Sequence, residues 1–392
     1  MSCQDQPNGT TALLSYSLQI QIAATTSTFC SGILQNARVT AVTPGAPKIR
    51  ILQITDIHLD LEYGEGLNTN CGEPICCRTG NGPPKPGDTG AGRWGDYRSC
   101  DLPLRTLENM LQYLSTIQDQ FDLVYWTGDL PAHNVWNQTR ADQLHLLDLF
   151  TKMYRQYLPH KPLFPCVGNH ESAPVNSYPP PFITGDNSIQ WLYERFVSSW
   201  GLPSSTAQDV LRGGYYTVSP YPGLRVVSLN NNYCNNMNWW VLLNTTDPAG
   251  ELSWLVDVLT RAERNHEKVH ILSHIPTGSG DCLQAWSWSY YDIINRFEST
   301  VTAQFFGHSH SDHYAIFYDS VNFTRPVSIL YIGGAVTPQN DMNPGFRIYT
   351  ADGNYSGSSW QMLDHTNYIL NLTEANNGGA VRWQKEYSAK VT

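Results

Sequence analysis

The chain has 392 residues, enough for one large domain or two ordinary ones with a sizeable core. Apolar residues make up 41% and charged residues 15%, with 12 Trp and 22 Tyr, which excludes a disordered chain. The formal net charge of -10 excludes the basic stripe that a nucleic-acid partner normally requires.

Residues 1–47 read as a weakly structured segment closed by the linker "AVTPGAP". The opening "MSCQDQPNGTTALLSYSLQIQIAATTSTFC" has neither the basic start nor the long apolar core of a signal peptide. From Lys48 the pattern changes. "KIRILQIT", "FDLVYWT", "LFPCV", "LRVVSL", "KVHILS" and "TAQFF" are short apolar runs rich in β-branched and aromatic residues, and they predict buried strands. Helical patterns lie between several of them. Leu104, Leu107, Leu111 and Leu114 share one helical face, as do Leu252, Leu255, Val256 and Leu259. Strands alternating with helices predict an α/β fold with helices outside central sheets. From about Asp364 a new apolar–polar pattern opens, read as the start of a helical C-terminal extension. The expected division is therefore 1–47, a main domain over 48–363, and 364–392. No stretch is long and apolar enough to span a bilayer.

Nine cysteines point to an oxidising compartment. Cys71, Cys76, Cys77 and Cys100 lie in one Gly/Pro-rich segment, which could be a zinc knuckle or a disulfide-stapled loop. The irregular spacing and the lack of a CxxC pair favour the loop. Six N-x-[ST] sequons, at Asn8, Asn137, Asn244, Asn322, Asn354 and Asn371, fit a secreted or lysosomal glycoprotein.

"GHSHSDH" places His308, His310 and His313 within seven residues, just past a predicted strand. A solvated loop would explain them. Residues two apart on an extended chain point the same way, so His308 and His310 could instead share a target, and a metal is the usual one. Other strand ends decide between these. "QITDIHLD" offers Asp56 and His58; "YWTGDLPAH" offers Asp129 and His133; "PCVGNHES" offers Asn169 and His170; "HILSHIP" offers His274. Ligands in open α/β folds collect at the carboxyl ends of strands. Any one of these motifs could be a turn, a helix cap or a satisfied histidine. Five together predict one mouth.

The order D-x-H, GD, GNHE, H and GHxH resembles the signature of the calcineurin-like metallophosphoesterases over residues 48–360. "WTGDLPAHNVW", "CVGNHESAPVNSYPPPF", "NTTDPAGELSWL", "DGNYSGSSW" and "NYILNLTEAN" further resemble the catalytic domain of the acid sphingomyelinase family. The resemblance implies two mixed β-sheets sandwiched by helices and a centre of two Zn2+ ions. Asp56, His58 and His310 would hold one ion; Asn169, His274 and His308 would hold the other; Asp129 would bridge. Such a pair clamps a phosphodiester and activates water for attack on phosphorus. His133 and His170 would donate a proton to the leaving group. The resemblance also implies the disulfides Cys71–Cys76, Cys77–Cys100 and Cys234–Cys282, with Cys166 a buried free thiol. Cys3 and Cys30 are left as a candidate pair.

The expected reaction is hydrolysis of sphingomyelin to ceramide and phosphocholine. A phosphodiesterase of nucleotides or other soluble phosphoesters is the alternative enzyme, and a non-catalytic secreted glycoprotein the alternative of another class. The first 47 residues do not match the six-cysteine saposin module of the acid sphingomyelinases, and little of the family's C-terminal extension is present. Contact with a membrane surface is therefore expected to need an activator or anionic lipid. Trp94, Tyr97, Trp239, Trp240, Trp286, Trp288 and Tyr290 are candidate aromatic rim residues.

Overall fold

The computed structural model describes residues 41–391. The expected weakly structured segment up to residue 40, and the candidate pair Cys3 and Cys30, lie outside the described residues. In chain order the strands are β1 (Lys48–Ile54), β2 (Leu59–Asp60), β3 (Leu102–Pro103), β4 (Leu123–Trp126), β5 (Leu163–Pro165), β6 (Tyr216–Tyr221) and β7 (Leu224–Ser228). They continue as β8 (Lys268–Leu272), β9 (Val301–Phe306), β10 (His313–Tyr318), β11 (Pro326–Ile332), β12 (Gly345–Asp352), β13 (Met362–Leu370) and β14 (Trp383–Ser388). Two mixed six-stranded sheets result, ordered β14-β13-β12-β1-β4-β5 and β10-β11-β9-β8-β7-β6. In the first, β1, β4 and β5 run parallel. In the second, β7, β8, β9 and β11 do. All six runs picked out as strands are strands, and their continuous apolar character follows from burial on both faces.

The sheets pack face to face through a partly polar seam. The Tyr125 hydroxyl donates to His270 Nδ1 at 2.9 Å, while His270 Nε2–H donates to the Trp360 carbonyl at 2.7 Å. Gln53 Nε2 donates to the Phe306 carbonyl at 2.9 Å. Each polar group in this seam has a partner, as burial requires. Helices cover the outside. On the first side are α1 (Leu104–Thr116), α2 (Arg140–Tyr157), α3 (Gln190–Ser199) and α4 (Ala207–Gly213). Leu107, Leu111 and Leu114 of α1 are buried in the larger core, as their spacing predicts. On the second side, α5 (Glu251–Arg264) and α6 (Gln284–Arg296) bury Leu252, Leu255, Leu259, Trp286 and Ile294 in a separate core.

The helical reading of 364–392 is corrected. Met362–Leu370 and Trp383–Ser388 are antiparallel strands on the edge of the first sheet, joined through one short helix, α7 (Leu372–Asn376). Thr366, Tyr368 and Ile369 are strand-forming side chains, and pairing with β12 decides the conformation. Leu370, Leu372 and Trp383 enter the main core, so the expected boundary at 363/364 cuts through a strand of the main domain. The cysteine-rich segment is a stapled loop: Cys71–Cys76, Cys77–Cys100 and Cys234–Cys282 are bonded, and Cys166 is free and buried.

Glu251 opens α5 fully buried. It accepts from the Asn230 backbone N–H, and burial pushes its carboxyl up from 4.5 to about 8. A raised folded-state pKa means stability that is present below 4.5 and lost as pH rises through about 8. Glu251→Gln keeps the acceptor and removes the charge. Its melting temperature should match the parent near pH 5 and exceed it by on the order of 2–4 °C near pH 8. Parallel melting curves for the two proteins across that range would contradict the assignment.

Candidate metal centre

The carboxyl ends of β1, β4, β5, β8 and β9 meet at one edge of the sandwich. The chain leaves β1, β4 and β9 through residues with left-handed backbone. Asp56, His58, Asp129, His308 and His310 all have positive φ, between 42° and 71°. Such backbone is sparsely populated for side chains of this kind, and its clustering marks a functional site. Glycine makes the closest approach possible: a Cβ on Gly128 would fall 2.7 Å from the Gly168 backbone.

Four ligand atoms converge at the centre. Asn169 Oδ1 lies 3.0 Å from His274 Nε2 and 3.0 Å from His308 Nδ1. Asp129 Oδ2 lies 3.0 Å from His274 Nε2. The other nitrogen of each ring is already occupied. His274 Nδ1–H donates to the Thr127 carbonyl at 2.7 Å, and His308 Nε2–H donates to Asp281 Oδ2 at 3.3 Å. His308 Nδ1 therefore carries a lone pair toward the centre, and His274 Nε2 does so once a cation displaces the proton that Asp129 holds there. Four ligand atoms aimed at one point then fit a cation. Tetrahedral zinc with bonds of about 2.0–2.1 Å would have ligand–ligand edges of roughly 3.3 Å, close to these spacings.

A second set adjoins the first. His58 Nε2 is 3.1 Å from His310 Nε2, 3.9 Å from Asp56 Oδ1 and 3.5 Å from Asp129 Oδ2. His310 Nε2 is 3.7 Å from Asp56 Oδ1. His58 Nδ1–H donates to the Pro131 carbonyl at 2.8 Å, which again leaves Nε2 bare toward the centre. Asp129 Oδ2 faces both sets, 3.5 Å from His58 Nε2 and 3.0 Å from His274 Nε2.

The electrostatics match a site built for positive charge. Burial pushes the Asp56 carboxyl up to about 7. Burial also raises Asp129, but His274, His170 and His58 outweigh it and hold Asp129 well below the ordinary range. Burial pulls His274 down, yet Asp129 lifts it to about 9. Burial holds His58, His308 and His310 below their ordinary value, which keeps them neutral and able to act as ligands.

His133 and His170 stand beside the Asp56–His58–His310 set. The His133 ring stacks on His58 at 3.9 Å between centroids, and His170 lies 4.7 Å from both. Their surroundings differ. His133 Nδ1–H donates to Asp101 Oδ1 at 2.8 Å, and its backbone N–H donates to Asp101 Oδ2 at 2.6 Å. Burial lowers His133, but Asp101 outweighs it and the net shift is upward. His170 has no such carboxylate, and burial takes it down to about 4. His313 is exposed, with Nδ1 on the Ser311 carbonyl.

All nine site residues named from sequence thus come together. The alternation argument for the last loop is nonetheless corrected. Beyond β9 the chain is not extended, and His308 and His310 serve different sets through different ring nitrogens. Four supporting residues escaped the sequence reading. Asp101 orients His133. Glu171 accepts the backbone N–H groups of Leu130 at 2.7 Å and Gly168 at 2.6 Å, tying the β4 and β5 ends. Asn231 accepts from the Ile275 N–H at 3.1 Å, and Asn232 donates to the Gly168 carbonyl at 3.1 Å. Extending the strand-end rule to "LRVVSL" would have exposed the Asn230–Asn232 run, and Glu171 sits within the "GNHE" already quoted. Of the expected rim, Trp286 and Tyr290 are buried on α6, Trp94 and Tyr97 are half-buried against the core, and Trp239 and Trp288 are exposed.

Comparison with known proteins places the chain in a family and a fold. Residues 49–312 match the family model of the calcineurin-like phosphoesterases. The chain is 52% identical over 346 residues to sphingomyelin phosphodiesterase from Homo sapiens, covering 88% of this chain and 54% of that one. It therefore spans about half the length of that relative. It is 30% identical over 370 residues to acid sphingomyelinase-like phosphodiesterase 3b from Mus musculus, covering 75% of it. A crystal structure of a dimetal phosphatase from Danio rerio superposes with a TM-score of 0.50 at 16% identity, covering 82% of this chain and 95% of that one, a likeness of fold. The chain belongs to the calcineurin-like phosphoesterase family, within its acid sphingomyelinase-like group.

Proposed function

We propose that this chain is a zinc-dependent phosphodiesterase that hydrolyses sphingomyelin to ceramide and phosphocholine, in a secreted or lysosomal setting. The observation that carries the metal chemistry is the convergence of Asn169, His274, His308 and Asp129 on one point through one ligand atom each. The lipid substrate rests on the likeness to sphingomyelin phosphodiesterase from Homo sapiens. Three disulfides fit an oxidising compartment.

Asn169, His274 and His308 would hold one cation, Asp56, His58 and His310 the second, and Asp129 would be shared. Two divalent ions there would polarise the phosphoryl group and lower the pKa of the attacking water. The protein groups then divide the remaining work. His133, held by Asp101, keeps a proton on Nε2 and delivers it to the ceramide oxygen as the P–O bond breaks. His170 stays neutral and donates its N–H to a phosphoryl oxygen. The two histidines, expected from sequence to share one role, are thus assigned different ones on the strength of Asp101.

Asp129→Asn keeps the shape and removes the shared charge. Bound zinc should fall below two ions per chain, and hydrolysis by roughly 10³-fold or more, as for a lost metal. Two tightly bound zinc ions with full activity would refute the bridge.

His133→Ala should retain its zinc and lose on the order of 10²-fold in rate on sphingomyelin, the usual effect of a lost general acid. On a nitrophenyl phosphodiester, whose leaving group needs no proton, the loss should shrink to a few-fold. Asp101→Asn should follow the same pattern more weakly. An equal loss on both substrates would remove His133 from this role.

The substrate itself is tested by comparing kcat/KM for sphingomyelin in detergent micelles with that for soluble nucleotide diesters. The lipid should be preferred at least ~10-fold, about 1.4 kcal/mol of differential transition-state binding. The reverse order would move the proposal to soluble phosphoesters.

A further inference from the structure

We infer that the rim of the metal centre carries a docking surface for a net-neutral lipid bilayer, formed by Met237, Trp239, Leu242 and Leu243. This rests on the lipid-substrate reading and names how that substrate is reached. Trp239–Leu243 is a short 3-10 helix whose inward residue, Val241, is buried. Its outward residues are large and bare: Trp239 and Leu242 are 71% exposed, Leu243 60% and the preceding Met237 53%. Trp239 and Leu242 are three apart, so on a 3-10 helix they share one face. Single exposed apolar residues need no explanation, but four within seven residues form a patch.

The patch is held rigidly beside the metal ligands. Asn235 Nδ2 donates to Asn176 Oδ1 at 3.0 Å, and the Asn176 N–H donates to the carbonyl of the ligand Asn169 at 3.0 Å. On the other side the Asn236 N–H donates to the Asp281 carbonyl at 2.9 Å, and the Asp281 carboxylate accepts from the ligand His308. The Cys234–Cys282 disulfide fastens the base, and Trp240 Nε1 donates to Ser177 Oγ at 3.0 Å. Residues ordered in advance lose little entropy on binding. A patch whose base is tied to two ligand-bearing loops is placed to meet the bilayer from which a lipid substrate would come.

Charge selects the kind of bilayer. Residues 229–246 contain no charged side chain, and neither do residues 172–185, the neighbouring loop that exposes Phe182. Anionic membranes are recognised by clusters of Lys and Arg, which these loops lack, and the chain's net charge of -10 would oppose them. An uncharged Trp/Leu ridge instead suits the interface of a zwitterionic bilayer. Such a ridge would let the chain meet a neutral bilayer unaided, against the sequence expectation of an activator.

The test is flotation of the full, zinc-loaded chain with phosphatidylcholine vesicles free of sphingomyelin. N-glycans are removed first, because Asn244 lies in a sequon beside the patch. The parent should float. Trp239→Ser/Leu242→Ser/Leu243→Ser should bind at least ~10-fold more weakly, while keeping its zinc and its rate on a soluble chromogenic phosphodiester. Leu242→Lys alone, at an exposed position, should also weaken binding and guards against misfolding of the triple variant. A parent that does not float, variants that float equally well, or a patch that instead drives reversible dimerisation in sedimentation would each overturn the inference. Because the vesicles contain no substrate, a chain that cleaves sphingomyelin in micelles but does not float sinks the docking surface alone.

Discussion

Four ligand atoms converging on one point, which a cation can join once His274 gives up its proton, are the constraint on which the rest of the molecule depends. His274 Nε2, His308 Nδ1, Asn169 Oδ1 and Asp129 Oδ2 face one another, and the other nitrogen of each ring is already committed elsewhere. An unpaired buried acceptor costs about 1–3 kcal/mol. A cation turns that repulsion into bonds, provided the ligands are held in place without it. Positive φ at Asp56, His58, Asp129, His308 and His310 adds strain of about 1–3 kcal/mol each, so the surrounding structure must over-determine the loops. The sheets do this through five strand ends, and Glu171, Asn231 and Asn232 do it between them.

Environment then separates residues of one type into different tasks. Asp129 faces histidines and stays ionised, while Asp56 is raised by burial despite its bonds to Thr55 and His308. Glu171 takes backbone N–H groups, and Asp101 takes a histidine ring. His133 and His170 differ chiefly in which of them has Asp101. Pairs of titratable groups pushed apart in this way mark where acid and base roles divide.

Much of this was legible in the sequence because each ligand sits within four residues of the end of a largely buried strand. Such strands are continuous apolar runs, so their ends are easy to find, and Asp, Asn or His there is conspicuous. What was missed lacks that contrast. Asn231 and Asn232 are neutral residues whose role lies only in hydrogen bonds across the fold. Asp101 follows a disulfide loop rather than a long strand. The half-buried strand β13 carries a mixed pattern that pairing, not propensity, makes extended. Trp286 and Tyr290 looked like rim residues because aromatic content alone does not say which face of α6 is buried.

The antiparallel half of the first sheet, least visible in the sequence, is nonetheless tied to the metal loop. Asp312 follows His310 by two residues and accepts from Arg347 on β12, Asn367 on β13 and Tyr387 on β14. Arg347 is buried, and its guanidinium also donates to the Tyr349 hydroxyl, which donates in turn to Gln53 on β1 at 2.8 Å. Three donors from three successive strands therefore hold one carboxylate at the end of the histidine loop. Arg347 is the buried partner and Asp312 the more exposed one, so the bonds to Asp312 satisfy a guanidinium that burial would otherwise leave unpaired. The edge strands thus contribute more than core: they fix the far end of the segment whose near end carries His308 and His310, so the geometry of both metal sets depends on residues some 35–75 positions further along the chain.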